Sequence, residues 1–539
     1  TFLNLNERPI TQKSNYDFEP INNTILGFNV AYATEVPFLT RMVNKLPNID
    51  TDVPSNVSVR AEGAYLIAGA PKGADFDGKV TTYIDDFEGA QTRIDVSSPQ
   101  SWELSSAPLG FGGEIENDNL ESGYKRAKLS WYSIDPIFYG NNRPSGITEQ
   151  DLASNRSRRV FIDEVFPDTD IVQGQTLALF TFDLNYDTTL RGPYYYNPDY
   201  APNNTPVSDP RDNFGGITRQ LTTTNFEQSN VEFMEFWLMD PFEYDDTNNP
   251  GGTIVFNLGN ISEDVLKDGR KQYENGLPIA GQTGNVVSTN YASVPVNLSL
   301  IYAFDSQDQD RTAQDVGFDG LGDADEQQKT EFGSFTSLPD PSADNYTYFL
   351  QATGDVVQRY DFYNGTEGNS PVDLSNEDRG STTFPTAEDV NRDNTMNTIN
   401  SYYEYKIPIF RGMDVGNDND TGYISDIREI VTEIAGQQIN TRWVRFKVPI
   451  YEPTSAENIS DFRSIRFMRM YLTEFSQPTL LRFANMDLVR GDYRRYVQIG
   501  DQVNDPTDGL NVFGDTEAII TSVSEEETPN YVTPPGVIR

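Results

Sequence analysis

The sequence predicts a mainly β fold, a two-sheet β-sandwich with long insertions, from three observations. Runs of alternating aromatic and β-branched residues recur along the chain, bounded by Gly, Pro, Asn and Asp. Aromatic residues make up 12% of the chain, with 29 Tyr and 32 Phe, which is too many for a disordered polymer. The polar segments between the runs are long, so we expect a packed core with large loops.

The predicted strands of the sandwich have nearly all the two-residue alternation of a half-buried strand. Two packed sheets are the default arrangement for this many strands. The first and last runs each carry an acid, and we expect them to lie together. The strands are predicted at 83–89, 101–104, 126–132, 231–239, 253–258, 403–407, 442–448, 465–472 and 480–489.

Residues 1–80 form a separate predicted segment of barrel-type strands with a short helix. Two runs alternate there, one through Phe28 and Val30 and one through Val57 and Val59. Each approaches the length of a tilted membrane-spanning strand, roughly 9–11 residues. An ordinary strand in a soluble sheet is the alternative. Residues 36–46 space their apolar side chains like a short amphipathic helix that ends before Pro47.

The rest of the chain divides into a first part of the sandwich (81–260), an acidic loop-rich insertion (261–400), a second part of the sandwich (401–494) and an extended tail (495–539) that returns to the barrel. Residues 261–269 are predicted as a short capped helix that ends at Gly269. The tyrosine tract 194–196, with Asn197 and Pro198, is a candidate exposed contact loop, and a loop without a contact role is the alternative. Because the chain begins at Thr1 without an initiator Met, we expect it to be a piece of a longer protein.

Charge and composition exclude several classes of function. The chain has 82 Asp+Glu against 40 Lys+Arg, a formal net charge of -42, which repels phosphate backbones, so nucleic acid is not expected as a partner. It has no Cys and no His, which excludes disulfides, thiolate zinc sites and Ser-His-Asp or Cys-His catalysis. Abundant carboxylates favour hard cations such as calcium.

A calcium-type loop is predicted at 389–400. Oxygen side chains stand at ligand positions 1, 3, 5 and 9 of such a loop, namely Asp389, Asn391, Asp393 and Asn397, while Thr395 at position 7 would supply its backbone carbonyl and Asn400 stands at position 12. The loop resembles half of a dockerin repeat, although Asn400 replaces the usual bidentate acid. An Asx-rich turn without metal is the alternative. Residues 319–326 and 414–420 are less complete candidates for structural Ca²⁺.

Catalysis by paired carboxylates is the remaining enzymatic possibility. The candidates are Glu232 with Glu235, or Asp240 after Trp237, but Glu232 and Glu235 on one strand point to opposite faces and cannot flank one bond. The sequence therefore predicts no enzyme.

The order of the strands resembles the jelly-roll carbohydrate-binding modules and galactose-binding-like domains. The resemblance is carried by the Asp-Asp-Phe-Glu strand at 85–88, by Trp443 to Pro449 and by the closing acidic strand. It implies a structural calcium near Asp86, Glu88 and Asp487. Solvated carboxylates at the edge of a sheet are the alternative for these three residues.

Several unusual strings are similar to one further family: FLTR (38–41), DDFEGAQ (85–91), FWLMDPF (236–242), LGNISED (258–264), DGL (319–321), SIRFMRM (464–470) and YVTPPG (531–536). This family is the SprA (Sov) proteins, the outer-membrane translocon pore of the type IX secretion system, which is linked to gliding motility. The resemblance implies a large outer-membrane β-barrel that exports folded cargo proteins. It also implies a PorV-type barrel protein and a periplasmic plug protein as partners.

The predicted function is therefore a segment of a protein-secretion channel in the cell outer membrane, with its soluble parts at the cell surface or in the periplasm. The sandwich would act as a cap or partner-binding element. The alternative is a secreted carbohydrate-binding or adhesin module with calcium-stiffened loops.

Overall fold

A computed structural model describes residues 2–6, 22–67, 75–76, 79–80, 92–167, 177–199, 209–244, 249–272, 286–295, 317–363, 386–419 and 421–491. The described residues are mainly β, with 40% strand and 14% helix. It divides into two compact units, Thr1–Ala90 and Gln91–Arg539. The four domain boundaries predicted from the sequence stay predictions. The predicted tail, 495–539, lies outside the described residues.

The first unit contains a three-stranded antiparallel sheet in the order β1-β2-β3. A helix, α1, connects the two long strands and begins with a proline in its first turn, where the missing N–H costs nothing. The predicted helix is thus confirmed, and the described strands form an open sheet. The elements are β1 (Phe2–Asn6), β2 (Asn22–Glu35), α1 (Pro37–Val43), β3 (Asn56–Ile67), β4 (Asp75–Phe76) and β5 (Lys79–Val80).

The second unit contains two large antiparallel sheets. Their strands are β6 (Thr92–Asp95), β7 (Glu103–Leu104), β8 (Ala127–Tyr132), β11 (Phe182–Arg191), β12 (Phe214–Gln220), β13 (Val231–Met239), β14 (Gly251–Asn260), β17 (Ser401–Phe410), β18 (Ile424–Ile434), β19 (Gln437–Pro449), β20 (Ser455–Glu457), β21 (Phe467–Thr473) and β22 (Thr479–Arg490). The seven-stranded sheet runs β18-β19-β13-β22-β11-β8, with β6 paired to β22. The six-stranded sheet runs β20-β17-β14-β21-β12-β7.

Short strands and helices complete the described structure. Two short hairpin-like pairs are β9 (Val160–Phe161) with β10 (Ala178–Leu179), and β15 (Val286–Ser288) with β16 (Ser293–Pro295). The short α-helices are α2 (Ile162–Val165), α3 (Phe226–Ser229), α4 (Asp323–Glu326) and α5 (Val356–Arg359). Single 3₁₀ turns lie at Pro99–Ser101, Leu120–Gly123, Pro136–Tyr139, Asp151–Ala153, Pro210–Asp212, Pro241–Tyr244 and Thr330–Ser337. No helix in the described part of the chain is long and apolar enough to span a membrane.

The core lies between the two large sheets. Phe236 on β13 stacks on Phe446 of β19 at 4.9 Å between ring centroids, within the same sheet. It also meets Phe256 of β14, in the opposite sheet, at 5.9 Å. These rings are fully buried, as are the apolar residues facing them. The predicted β-sandwich is therefore confirmed, while its jelly-roll connectivity stays a prediction.

Most of the predicted strands are present, as β7, β8, β13, β14, β17, β19, β21 and β22. The predicted first strand at 83–89 lies outside the described residues. The nearest described strand, β6, pairs with β22 and sets Asp95 opposite Asp487. The first and last described strands of the second unit therefore share one sheet.

The tyrosine tract 194–196 is not an exposed loop, and that prediction is wrong. Tyr194, Tyr195 and Tyr196 are all buried. Tyr196 stacks on Phe332 with ring centroids 4.2 Å apart. The tract is instead covered by the segment Thr330–Ser337 of the insertion. The free energy gained by burying three aromatic rings exceeds the cost of burying their hydroxyl groups.

Candidate functional site

The insertion leaves the sandwich after β14 and re-enters it at β17, and these two strands are neighbours that set Asn260 opposite Ser401. The segments 261–272 and 386–400 consequently run together, and we call this pair of segments the neck. Two backbone hydrogen bonds join them, from Glu263 N to Asn397 O at 2.7 Å and from Glu388 N to Gln272 O at 3.1 Å. The neck is the most densely hydrogen-bonded polar site that we find in the described residues.

Glu263 holds the second neck segment. Its Oε1 accepts from the backbone N–H groups of Val390 and Asn391 at 2.7 and 3.3 Å. Its Oε2 accepts from Asn397 N at 2.9 Å and from the Asn397 side-chain amide at 2.8 Å. Burial raises the pKa of Glu263, and these hydrogen bonds oppose the rise because they favour the charged carboxylate.

Glu388 holds the first neck segment in the same manner. Its Oε1 accepts from Val265 N at 2.7 Å and Leu266 N at 3.0 Å, and its Oε2 accepts from Gln272 N at 2.9 Å. Burial raises the pKa of Glu388 well above its usual value, and the neighbouring carboxylates Asp264 and Asp268 add to the rise. Each neck segment thus supplies one buried carboxyl group that satisfies backbone donors of the other segment.

The predicted capped helix at 261–269 is wrong, since no helix forms there. Asp264 instead accepts from Asp268 N and Gly269 N, both at 3.0 Å, and so closes a turn. Gly269 has φ +74, which a residue with a side chain adopts only with strain. The acids that suggested a helix are used to close the neck.

Lys271 and Asp389 form the third connection across the neck. Lys271 Nζ lies 2.5 Å from Asp389 Oδ2, and the side chains are 5% and 0% exposed. Asp389 also accepts from Asp393 N at 3.0 Å and from Asn394 N at 2.9 Å. This carboxylate is therefore surrounded by one ammonium group and two backbone amides.

The predicted calcium residues at 389–400 are close in sequence, but their side chains serve different partners. Asn391 and Asp393 accept from the loop's own backbone, and Thr395 donates its hydroxyl to Asp393. Asn397 donates to Glu263, and Asn400 Oδ1 accepts from Ser262 N at 3.2 Å. A cation needs several oxygens converging on one point, and in this arrangement Lys271 occupies the space beside Asp389. The residues do not fit calcium as arranged, and calcium at this loop stays a prediction.

The second predicted set cannot be assembled, because Asp86 and Glu88 lie outside the described residues. Asp487 is described, and it lies 3.3 Å from Arg93 on β6 and accepts from the Asn485 side-chain amide at 2.6 Å. Arg93 also pairs with Glu235 at 2.7 Å. Burial raises the pKa of Asp487, against the attraction of Arg93. Its charge is thus balanced by an arginine of the adjacent strand.

Glu235, one of the candidate catalytic acids, shares the ion-pair partner Arg93 with Asp487. It is buried, and it pairs with Arg445 at 2.8 Å as well as with Arg93. Burial alone would raise its pKa, but the hydrogen bonds and charges of the two arginines lower it overall. A carboxylate held in the charged form between two guanidinium groups serves pairing between strands.

A better oxygen cluster for a cation lies elsewhere in the insertion. One carboxylate oxygen each from Asp319, Glu326 and Asp344 lies within 4.8 Å of the others, and all three residues are buried. Asp319 accepts from Leu321 N at 2.9 Å and from the Ser342 hydroxyl at 2.7 Å. Burial raises the pKa of Asp319 to about 7. An all-oxygen donor set of this kind is what hard cations bind.

Sequence reasoning placed Asp319 and Glu326 among the less complete candidates, but it missed four residues. Asp344 reaches the cluster from a separate loop, and Glu263, Lys271 and Glu388 meet only because β14 and β17 are neighbours. No local spacing relates these residues. A predicted pairing of the strands that flank the insertion could have pointed to the neck.

The fold and these contacts define the class of protein: an acidic β-sandwich with a long insertion, whose buried acids in the described region are mostly held by partners within the chain. Residues 325–539, less than half of the chain, match the family SprA_N, described as "Motility related/secretion protein". This match confirms, over residues 325–539, the similarity to the SprA family that the sequence strings predicted. This is a secretion and motility family and not an enzyme family. No curated protein matches the chain.

Proposed function

We propose that this chain is a segment of the protein-secretion channel of the type IX system in the outer membrane. Sheet β1-β2-β3 would contribute to the membrane wall, and the sandwich would lie outside the bilayer as a cap or partner-binding element. The match to a secretion family supports the general role. The observation that carries the membrane assignment is one apolar face of the first unit.

That face is continuous across β2 and β3. On β2, the side chains of Leu26, Phe28, Val30 and Tyr32 are 44% to 63% exposed. They stand opposite Tyr65, Gly63, Ala61 and Val59 of β3 in register. No charged residue interrupts these paired positions. A soluble protein rarely leaves a contiguous apolar surface of this kind uncovered.

The opposite face of the same two strands carries the polar and charged residues, although Ile25 and Leu66 also pair there. Asn29, on β2, donates to Glu62 of β3 at 3.0 Å, and Arg60 stands opposite Ala31. Strands of 14 and 12 residues exceed the roughly 9–11 residues that a tilted strand needs to cross the hydrocarbon layer. An apolar face towards lipid and a polar face towards the lumen are typical of strands in outer-membrane barrels.

The fit between Phe28 and Gly63 supports the lipid-facing assignment. A Cβ atom at Gly63 would lie 2.5 Å from Cε1 of Phe28, so the ring covers the glycine directly. An aromatic ring over a glycine on the neighbouring strand fills the gap that the missing side chain leaves. The result is an even apolar surface without a local pocket.

On this proposal the partners are a PorV-type barrel protein, a periplasmic plug protein and secreted cargo proteins. The second unit would face the cell surface or the periplasm. Its net negative character, within a chain of formal charge -42, disfavours non-specific contact with anionic lipid headgroups. We propose transport of folded cargo and no catalytic turnover.

The test compares two charge substitutions on adjacent residues of β2 in the intact parent protein. Val30→Lys places a charge on the apolar face, and Ala31→Lys places the same charge on the polar face; both positions are exposed. Lysine towards lipid costs about 2–4 kcal/mol near the bilayer midplane. We expect Val30→Lys to reduce the amount of protein recovered in the outer-membrane fraction, and to reduce cargo export, while Ala31→Lys leaves both nearly unchanged. Equal recovery of the two variants would contradict the lipid-facing assignment.

A further inference from the structure

We propose that Lys271 and Asp389 form an intramolecular amide bond, from Lys271 Nζ to Asp389 Cγ, that closes the neck covalently. The proposal concerns a modification within the chain and does not depend on the membrane role. It starts from a contact that is unusually suited to this chemistry. The two groups are 2.5 Å apart and almost completely shielded from solvent.

The position of the pair makes the reaction effectively intramolecular. Glu263 and Glu388 fix the two neck segments against each other through hydrogen bonds on both sides of the pair. Holding two reacting groups in contact removes most of the entropy cost of bringing them together. The amine therefore stays beside the carboxyl group for the lifetime of the folded state.

The surroundings of Asp389 suit the intermediate of amide formation. Attack of the amine on Cγ places negative charge on the carboxyl oxygens, and the N–H groups of Asp393 and Asn394 already point at these oxygens. Preorganised donors of this kind stabilise a tetrahedral intermediate. Burial also lowers the cost of passing a proton from the ammonium to the carboxylate, because neither ion is solvated by water there.

A further buried carboxyl group lies within electrostatic range of Asp389. Glu103, on β7, interacts electrostatically with Asp389. Its Oε2 is buried and has no hydrogen-bond partner within the described part of the chain. A buried carboxyl group of this kind can take part in proton transfer once a reacting group comes within hydrogen-bond reach of it.

The reaction balances without any other reactant. The Nζ–Cγ bond forms and the Cγ–Oδ2 bond breaks. Two of the three ammonium protons leave with Oδ2 as water, and the third stays on the amide nitrogen. No oxidant, reductant or activated intermediate is needed. The product joins two residues separated by 118 positions in the chain.

The decisive measurement is the intact mass of the full chain under denaturing conditions, followed by a map of its tryptic peptides. We expect the mass to be lower than the sequence mass by one water molecule. We also expect a branched peptide that contains both Lys271 and Asp389. A mass equal to that of the sequence overturns the proposal, and so does a loss of water that maps to a linear peptide.

Two variants sharpen the measurement. Lys271→Arg keeps the positive charge but removes the reactive amine, so the mass deficit and the branched peptide should both disappear. Asp389→Asn should still form the bond, now with the loss of ammonia in place of water. A mass deficit of one water that persists in Lys271→Arg would overturn the proposal. Because the wild-type mass alone decides the question, the test holds even if a variant folds poorly.

Discussion

Sheet β1-β2-β3 and the seven-stranded sheet of the sandwich are built from the same alternation of residues, yet they expose it differently. On β13, Phe236 and Leu238 are completely buried. On β2, the equivalent alternating residues Phe28 and Val30 are more than half exposed. Alternation therefore predicts a strand and the residues that share a face, but not what that face contacts. A second packed layer in the sandwich makes the difference.

The largest expected effect is the difference in unfolding free energy between a truncation in the sandwich and the same truncation in sheet β1-β2-β3. Phe236→Ala should reduce the free energy of unfolding of the sandwich by about 3–5 kcal/mol, since it opens a cavity among packed rings. Phe28→Ala should leave the stability of the sandwich unchanged. Urea unfolding followed by tryptophan fluorescence measures this, because all 4 Trp lie in the second unit. A loss below about 1 kcal/mol for Phe236→Ala would contradict a tightly packed core.

The neck should be the next most sensitive region, because its buried donors have no solvent to replace a lost partner. Glu388→Ala leaves the N–H groups of Val265, Leu266 and Gln272 without their acceptor and should cost about 2–3 kcal/mol. Glu429→Ala is the control, since this residue of β18 is exposed and its ion pair with Arg442 is 3.4 Å long. Exposed pairs contribute about 0–1 kcal/mol. Similar losses for both variants in urea unfolding would show that the neck hydrogen bonds do not stabilise the sandwich.

The pH dependence of stability should also distinguish buried from paired acids. Burial raises the pKa of Glu103 from 4.5 to about 7, so the folded state holds this proton more tightly than the unfolded state does. The resulting stability is fully present below pH 4.5 and is lost as the pH rises through about 7. Between pH 5 and pH 8 the expected loss is about 2.5 kcal/mol.

Glu103→Gln should remove that part of the pH dependence, and urea unfolding at pH 5 and pH 8 measures it. Glu235 is expected to show the opposite pH dependence from Glu103. Its pKa is lowered in the folded protein, so its contribution is present at neutral pH and is lost only as the pH falls below its ordinary range. An unchanged slope between pH 5 and pH 8 in Glu103→Gln would refute the assignment of this proton to Glu103.

The smallest expected effect is that of calcium. If Ca²⁺ binds the folded protein, a free calcium concentration of ten times the dissociation constant should add about 1.4 kcal/mol to the free energy of unfolding and raise the melting temperature. Asp319→Asn should abolish this shift if the ion binds the buried cluster with Glu326 and Asp344. The double variant Asp389→Ala with Asp393→Ala should abolish it if the ion binds the 389–400 loop. A melting temperature that does not change over millimolar calcium would remove both sites.

The parts of the fold that sequence patterns predicted share a physical property. Strands β13, β19 and β22 lie in the middle of a sheet and bury at least one face, so their buried positions are occupied mainly by apolar and aromatic residues. The predicted strands were correct where burial decides the residue type.

The strands that the patterns missed obey other constraints. β18 spaces Ile424, Ile427 and Ile430 as a helix would, but pairing with β19 along most of its length holds it extended. β12 contains Gly215, because a Cβ there would lie 2.8 Å from the ring of Tyr186. In β18 the local spacing of the isoleucines favours a helix, and in β12 the glycine weakens the strand pattern.

The candidate site was less predictable, for a geometric reason. The acids at 389–400 were found from their spacing, whereas Lys271, Glu263 and Glu388 were not, because each acts on residues more than a hundred positions away. Only the pairing of β14 with β17 brings them together.

That pairing also makes the sandwich a modular scaffold. Asn260 and Ser401 face each other on adjacent strands, about 5 Å apart, so a tight turn could join them directly. A change in length between these two anchor points would keep the pairing of β14 with β17, provided that the parts of the insertion that cover the tyrosine tract 194–196 and close the neck are retained. Related proteins can thus acquire new surface modules here, and an engineer could graft a foreign domain at the same place.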